Sequence, residues 1–300
     1  MATILDGKAL SLEIQKKLKK EIQKLGVSPC LAIIQIGDNK ESCAYIEHKK
    51  RFANEIGVKV QHIPLDETVK ERDVIEEIRS LNDDRGISGI ILQLPIPKHL
   101  DKFKLLETID PSKDVDGLHS KNAGLLYESA SGGNDPKNIV PSFIPATARG
   151  VMSLLKKNKI ELKGKRAIVV GRSLLVGKPV ALLLLKENAT VTIAHSKTEH
   201  LPKVIKEHDI VIIAVGKPKY FGKECFRAGQ VVVDVGTNSV TGSKVLEEGV
   251  KRTLVGDVDF EKVSKIVSAI SPVPGGVGPM TVASLFENVV LSVLLNQNHL

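Results

Sequence analysis

Two kinds of apolar spacing alternate along this chain, and that alternation limits its possible folds most. Residues 8–25 place apolar side chains every three or four positions, which predicts an amphipathic helix. Residues 30–37, CLAIIQIG, form a short apolar run that is typical of a buried strand. The same two signals recur as a helix over 42–56, a strand over 58–65 and a helix over 69–82. Strands and helices in this order predict an α/β fold with parallel strands and crossover helices.

The alternation resumes after a break in the middle of the chain. Periodicity weakens between 120 and 145, where SASGGNDPKN is rich in turn-forming residues and predicts a domain boundary. Residues 163–196 then predict a strand, a turn, a helix and a second strand, which are the parts of a βαβ unit. Further strands are expected at 86–97, 209–215, 230–235 and 253–256, and further helices at 102–109, 147–158 and 281–298. We therefore expect two α/β lobes.

The charge balance raises nucleic acid as a partner. The chain has 300 residues with 43 basic and 35 acidic side chains, a net charge of +8. Trp is absent and Tyr and Phe total ten, so a stacking platform for single strands is poorly supplied. Residues 143–280 carry +10 and the remainder −2, so the excess lies in the region of the βαβ unit. The phosphates of a bound dinucleotide are an alternative to nucleic acid as the partner of this positive charge. We therefore expect no nucleic-acid partner.

Targeting and metal signals are weak. The apolar runs are far shorter than the roughly 20 residues of a membrane span. The first residues do not place a basic stretch before an apolar one, as a secretory signal does. The three cysteines have no CxxC or Cys/His spacing. The sequence therefore predicts a cytoplasmic protein with reduced thiols, no membrane association and no metal site.

The βαβ unit contains a glycine turn, VVGRSLLVGKP. Gly171 follows the strand and Gly177 opens the helix, so an anion could approach the backbone there, although an ordinary strand-to-helix turn has the same composition. A dinucleotide-binding site usually has an acid after the next strand, but this chain has Ser196 and Lys197. With Arg172 they could bind a 2′-phosphate, which favours NADP over NAD. Alternatively, Ser196 caps the next helix.

Three further segments could carry chemistry. Tyr45 and Lys49 are four residues apart and therefore share one helix face. The alternative is an ordinary amphipathic helix whose lysine extends its charged end into solvent. Gln93 ends a predicted strand, where ligands collect in open α/β sheets. Residues 114–117, DVDG, place two carboxylates in a turn that could equally be a surface turn. Residues 271–281, SPVPGGVGPMT, predict a stiff ligand-contact loop.

Seven segments carry a family resemblance. They are SCAYIEHKKRFANEIGV, GIILQLPIP, PSKDVDGLHSKNAG, VVGRSLLVGKPVALLLLKENATVTIAHSKT, VVVDVGTN, GDVDF and SPVPGGVGPMT. In this order, over essentially the whole chain, they resemble the bifunctional methylenetetrahydrofolate dehydrogenase/methenyltetrahydrofolate cyclohydrolase family. The resemblance implies a folate-binding catalytic α/β domain of residues 1–142 joined by the C-terminal helix 281–300. It also implies a Rossmann-like NAD(P)-binding domain of residues 143–280 with a mostly parallel sheet, folate bound between the domains, and a homodimer paired through the cofactor domains.

The resemblance also assigns residues. It implies that Lys49 is the essential lysine, with Tyr45 beside it, that Gln93 supports this lysine and that Asp116 holds the pterin. The remaining folate-side positions are Pro274, Gly275 and Gly278. The implied cofactor-binding positions are Thr147, Gly171, Arg172, Ser173, Ser196, Thr237 and Thr281.

The implied activity has two steps. NADP+ oxidises 5,10-methylenetetrahydrofolate, and the methenyl product is hydrolysed to 10-formyltetrahydrofolate for one-carbon metabolism and purine biosynthesis. A dehydrogenase of the same fold without the hydrolytic step, or a non-enzymatic nucleotide- or RNA-binding protein, are the alternatives. The sequence departs from the family's PCTPxG at 145–150, where Ala146 and Ala148 replace Cys and Pro, so the segment between the domains should be less rigid. Thr237 stands where Ile is common.

Overall fold

The computed structural model describes residues 2–130, 143–246 and 249–297. Its helices are α1 (Gly7–Leu25), α2 (Lys40–Ile56), α3 (Glu71–Asp83), α4 (Lys102–Thr108), α5 (Ser120–Ser129), α6 (Ala146–Lys157), α7 (Gly177–Lys186), α8 (Leu201–Lys206), α9 (Phe260–Val263) and α10 (Val277–Gln297). Its strands are β1 (Thr3–Ile4), β2 (Cys30–Ile36), β3 (Lys59–Leu65), β4 (Gly89–Leu92), β5 (Arg166–Val170), β6 (Thr190–Ala194), β7 (Ile210–Ile213), β8 (Val231–Asp234), β9 (Asn238–Leu246), β10 (Gly249–Val255) and β11 (Ala269–Ile270).

The chain folds into two compact units. The first unit contains Leu12–Glu128 and the part of the chain that starts at Val282. The second contains Thr147–Thr281 and the N-terminal residues through Ser11. The predicted α/β class is confirmed, with parallel strands throughout the two larger sheets and one antiparallel hairpin of β9 and β10. The predicted domain bounds stay a prediction, and part of the predicted boundary loop, 131–142, lies outside the described residues.

The first unit is built on a three-stranded parallel sheet in the order β3-β2-β4. The central strand β2 is buried along almost its whole length, which explains its continuous apolar run. Helices α3 and α4 cover one face of this sheet, where their apolar side chains join those of β2 and β4 in one core. In parallel strands the carboxyl ends meet at one edge, so the residues after β2 and β4 lie side by side.

Helix α10 completes the first unit. Its Phe286 ring stacks on Phe52 of α2 with the ring centroids 5.2 Å apart. Asn288 Nδ2 donates to the carbonyl oxygens of Val115 and Ile144 at 2.8 and 2.9 Å. By length and composition this helix could cross a membrane, but 67% of its most apolar window is buried inside the protein. Buried polar side chains with partners in the protein mark it as a core helix of this unit.

The second unit has a six-stranded parallel sheet in the order β1-β11-β8-β7-β5-β6. Strands β5, β7 and β8 lie next to one another, and the core on one face includes Val170, Ile213 and Val232. Parallel strands with helical crossovers are the Rossmann-like arrangement predicted for this part of the chain.

The structure corrects some predicted elements. Helix α5 occupies Ser120–Ser129, where the sequence predicts only a weakening pattern, because just Asn122 and Leu126 of its ten residues are buried. The strand predicted at 86–97 is limited to Gly89–Leu92. Helix α10 starts at Val277 rather than 281, since proline is tolerated in a first helical turn.

Candidate functional site

Lys49 is carried by helix α2, whose ends are well defined. Asn39 Oδ1 accepts hydrogen bonds from the amides of Glu41 and Ser42, both at 3.0 Å, and caps the start of the helix. Gly57 ends it in the left-handed conformation with φ +85°. Between these ends, Tyr45 and Lys49 lie one turn apart and both are partly buried. Among the described residues, Tyr45 makes no hydrogen bond to Lys49.

Gln93 meets Lys49 at the carboxyl end of β4. The Gln93 amide N–H bonds to the Ile34 carbonyl at 2.9 Å and continues the sheet for one residue. The chain then turns through a cis Leu94–Pro95 peptide bond, and Gln93 Nε2 donates to the Leu94 carbonyl at 2.9 Å. Its Oε1 is left facing the lysine and accepts a 2.8 Å hydrogen bond from Lys49 Nζ. The structure therefore brings together two residues that are 44 positions apart.

Asp116 stands in a tightly packed turn. Gly117 after it has φ +69°, and a Cβ atom there would lie 2.4 Å from the Phe143 carbonyl oxygen, so only glycine fits. Before it, buried Asp114 accepts hydrogen bonds from the His119 amide and from Asn122 Nδ2, both at 2.8 Å. This turn is fixed on both sides of Asp116.

Burial controls the charges of this cluster. Removal of water from the Lys49 ammonium lowers its pKa, and the nearby Asp116 carboxylate opposes that shift. Burial raises the pKa of Asp116, and Lys49 opposes that shift in turn. Burial also raises the pKa of Asp114 to about 7, despite the hydrogen bonds that lower it. A lysine whose pKa is lowered by burial and whose amine is held by an amide oxygen can exchange a proton with a ligand.

The second unit contains the glycine turn. Gly171 follows β5 with φ +133°, and a Cβ atom would lie 2.3 Å from the Ala214 carbonyl oxygen. A Cβ atom on Gly177 would lie 2.2 Å from the Gly171 carbonyl oxygen. Ser173 Oγ accepts from the amides of Val176 and Gly177 at 3.2 and 3.4 Å and shapes the entry into α7. The glycines are therefore required by a close backbone approach, as in a dinucleotide-binding turn.

Ser196 lies at the end of the neighbouring strand. Val170 and Ala194 pair in the sheet, so the turns after β5 and β6 are adjacent. Helix α8 begins only at Leu201 and has His200 at its cap, so the alternative that Ser196 caps the next helix is wrong. Arg172, Ser196 and Lys197 are all exposed. Two cationic side chains and a hydroxyl at adjacent strand ends fit a phosphorylated ribose.

The remaining predicted positions also lie in the second unit. Thr281 Oγ1 donates to Thr147 Oγ1 at 3.2 Å, which joins α10 to the first turn of α6. Thr237 is exposed just after β8. Pro274 follows a cis peptide bond and Gly275 has φ +108°, and the predicted loop 271–281 ends at Gly276, because helix α10 begins at Val277. Gly278 and Thr281 are therefore helical residues of α10.

Ala146 and Ala148 occupy the first turn of α6 and are buried. Gly150 follows them, where a Cβ atom would lie 2.9 Å from Met280 Cβ. Alanine is the best helix former, so this helix starts without the family's proline.

The turn that contains buried Asp114 is among the predicted segments, but the sequence gives no role to two other buried acids, Asp234 and Asp257. Asp114 supports the turn of Asp116, and Asp234 and Asp257 lie in the second unit at 3% and 0% exposure. Burial raises the pKa of Asp234 to about 7. Asp234 in VVVDVGTN directly follows an apolar run, and an acid at such a place must find partners if it is buried, so this signal could have identified it. Asp257 in GDVDF follows a glycine and has no such signal. Within the described ranges, we find no group of three or more His, Cys, Asp or Glu that could hold a metal ion.

Comparison with known proteins decides the family. The sequence profile of the tetrahydrofolate dehydrogenase/cyclohydrolase catalytic domain matches residues 5–116, and that of the NAD(P)-binding domain matches residues 145–297. The chain belongs to the tetrahydrofolate dehydrogenase/cyclohydrolase family. Among its members, the bifunctional protein FolD of Rickettsia bellii is 45% identical over 294 residues, which cover 97% of this chain and 98% of that protein.

Solved structures of this family have the same fold. The bifunctional FolD dehydrogenase/cyclohydrolase of Campylobacter jejuni is 42% identical and matches with a TM-score of 0.88 over 100% of both chains. The Trypanosoma brucei dehydrogenase-cyclohydrolase, solved with NADP and an inhibitor, is 36% identical with a TM-score of 0.90, over 100% of this chain and 99% of that one.

Proposed function

We propose that this protein is a bifunctional one-carbon folate enzyme. It oxidises 5,10-methylenetetrahydrofolate to the 5,10-methenyl compound with NADP+ and hydrolyses that product to 10-formyltetrahydrofolate. The observation that carries this proposal is the hydrogen bond of 2.8 Å between Lys49 Nζ and Gln93 Oε1, with Asp116 as the charged neighbour. A lysine that is held by an amide oxygen, and whose ammonium form is disfavoured by burial, is suited to the proton transfer that hydrolysis needs.

Lys49 carries the hydrolytic step. Water attacks the methenyl carbon, and the Lys49 amine accepts a proton from it, which leaves a neutral hydroxyl adduct. The resulting Lys49 ammonium then donates this proton to N5 as the bond from the carbon to N5 breaks. The hydroxyl group of the adduct loses its proton to solvent and becomes the formyl C=O on N10, so one proton is released overall. The positive charge of the methenyl substrate disfavours a protonated lysine beside it, so substrate binding adds to the effect of burial. Gln93 orients the amine, because its own Nε2 is fixed on the Leu94 carbonyl.

Asp116 and four further positions are proposed to bind the substrate. Asp116 accepts hydrogen bonds from the pterin ring, which has N–H donors, and its buried turn keeps it in place. Tyr45 lies one helical turn from Lys49 and offers a ring face. Pro274, Gly275 and Gly278 form the remaining contacts.

The second unit binds the cofactor. NADP+, when bound, accepts the hydride that the methylene carbon releases. Gly171 and Ser173 let the pyrophosphate approach the start of α7, and Arg172 with Ser196 binds the 2′-phosphate, which an NAD-specific site would repel with an acid. Thr147, Thr237 and Thr281 supply hydroxyl groups for the nicotinamide end.

We also propose a homodimer in the cytoplasm that serves purine biosynthesis through its 10-formyl product. Strand β6 is an edge strand of the six-stranded sheet, and Ile193 on it and Leu185 at the end of α7 are 44% and 48% exposed. An open strand beside exposed apolar side chains is suited to pairing with a second copy. Light scattering should give twice the mass of one chain, and a mass of one chain would reject the dimer.

One paired assay tests the function. NADPH formation from methylenetetrahydrofolate is followed in parallel with NADH formation, and methenyltetrahydrofolate consumption is followed without any cofactor. We expect NADPH formation and methenyl consumption. NADPH formation without methenyl consumption would favour the monofunctional dehydrogenase, and the absence of all three signals would reject the enzyme.

A further inference from the structure

Two buried carboxylates link the loops at the carboxyl end of the six-stranded sheet. Asp234 is the last residue of β8, and Asp257 follows β10. They are 3% and 0% exposed, respectively. Burying an acid is costly unless it is well hydrogen-bonded, so their partners indicate what the pair is for.

Asp257 holds the loop after β7. Its Oδ2 accepts the amides of Val215 and Gly216 at 2.7 and 2.9 Å. Its Oδ1 accepts the Lys217 amide at 2.8 Å and Asn238 Nδ2 at 2.9 Å. All four donors converge on one carboxylate, and three of them are consecutive backbone amides.

Asp234 holds Asp257 and the loop after β8. Its Oδ1 accepts the amides of Gly236 at 2.9 Å and Asp257 at 3.1 Å, and its Oδ2 accepts the Val258 amide at 2.9 Å. The backbone lies close against both acids. A Cβ atom on Gly236 would lie 2.2 Å from an Asp257 oxygen, and one on Gly256 would lie 1.9 Å from an Asp234 oxygen. This network therefore has no room for a larger residue at either glycine.

The two loops are those that border the proposed cofactor site. Ala214, directly before the loop held by Asp257, is the residue whose carbonyl lies against Gly171. Exposed Thr237 lies between Gly236, whose amide donates to Asp234, and Asn238, whose side chain donates to Asp257. Both acids bond to backbone amides of these loops, so they act on the exposed residues through the backbone.

We propose that Asp257, supported by Asp234, is a positioning residue for NADP, which fixes Ala214 and Thr237 in the geometry that binds the cofactor. This inference rests on the proposed function. Asp257 itself touches no cofactor, and its role is to hold the two loops in their bound arrangement before binding, so that binding does not have to order them.

Asp257→Asn tests this role with almost no change of volume. Each carboxylate oxygen accepts two donors, so in either orientation the new amide group must face two N–H groups. Losing hydrogen bonds to a charged group should weaken NADP+ binding about tenfold or more. We expect this in the Kd from calorimetry and in the KM for NADP+, with a smaller change in kcat. Cofactor-free hydrolysis of methenyltetrahydrofolate should stay within about twofold, because Lys49 lies in the other unit.

Asp259→Asn is the matched control, because Asp259 is two residues away and pairs with exposed Lys262. It should change neither constant. Asn238→Ala removes one hydrogen-bond donor from Asp257 and is a milder variant, for use if Asp257→Asn does not fold. We expect it to weaken NADP+ binding about threefold. Unchanged NADP+ affinity in the folded variants, or equal losses of both activities with a lower Tm, would overturn the proposal. If the wild-type protein binds NADP+ but has neither activity, the proposed function is rejected. The NADP+ Kd of Asp257→Asn compared with that of the wild type would still test the role of Asp257.

Discussion

Replacing Lys49 with methionine tests the hydrolytic step most directly. Methionine keeps the length and apolar character of the lysine stem but has no amine. Proton transfer by a positioned side chain contributes typically 10²–10⁴-fold to a rate, so we expect cyclohydrolase turnover to fall by about that factor. The dehydrogenase should lose less, because aligning two bound molecules needs no proton acceptor at this position.

The effect on stability should be small, because two contributions oppose each other. The substitution leaves Gln93 Oε1 without the donor that it now has at 2.8 Å, at a cost of about 1–3 kcal/mol. It also removes the cost of burying the ammonium group, which is the largest cause of the lowered pKa of Lys49. We therefore expect a Tm within a few degrees of the wild type, and a Tm measured beside the rates separates lost chemistry from lost folding.

Lys50→Met is the matched control for this experiment. Lys50 is the next residue on the same helix, but its amine pairs with exposed Glu47 at 2.8 Å. We expect both activities to persist in this variant. Methenyltetrahydrofolate absorbance measures hydrolysis, and NADPH absorbance measures oxidation. Near-full hydrolysis by Lys49→Met would refute the assignment of Lys49, and equal losses of both activities would indicate a role in substrate binding instead.

Three further predictions concern other parts of the molecule. Asp116→Asn removes the carboxylate that raises the pKa of Lys49. The limb of the cyclohydrolase pH profile that reports Lys49 should therefore move to lower pH, and an unmoved limb would contradict the coupling of the two residues. Arg172→Ala should raise the KM for NADP+ about tenfold and leave that for NAD+ unchanged, and equal effects on both would remove the 2′-phosphate contact. Asn288→Ala should lower the free energy of unfolding by about 2–5 kcal/mol, because the carbonyls of Val115 and Ile144 lose their donor. Asn296→Ala, at an exposed position on the same helix, should leave it unchanged, and urea titration measures both.

The strands that are buried on both faces were the most predictable part of the fold. Strand β2 has six of its seven residues buried, so its apolar run alone predicts it. Helix α5 and strand β9 were missed, because one buries only two residues and the other, NSVTGSKVL, is largely polar. Tertiary contacts rather than local patterns hold such elements in place.

The candidate site also has parts that the sequence predicts and parts that it does not. The shared face of Tyr45 and Lys49 follows from helical spacing, and the glycine turn follows from its position after a strand. The contact of Lys49 with Gln93 spans 44 residues, and only the family resemblance indicated it. Asp257 was missed because an acid that binds backbone amides leaves no periodic signal in the sequence.

The pairing of β1 with β11 has a consequence for the order of folding during synthesis. Strand β1, Thr3–Ile4, leaves the ribosome long before its partner, Ala269–Ile270. The three strands of the first unit, by contrast, follow one another within the first third of the chain. Contacts between distant segments form late, so the first unit can assemble its sheet on the ribosome while β1 waits for its neighbour. The edge of the second sheet therefore closes only after β11 has been synthesised.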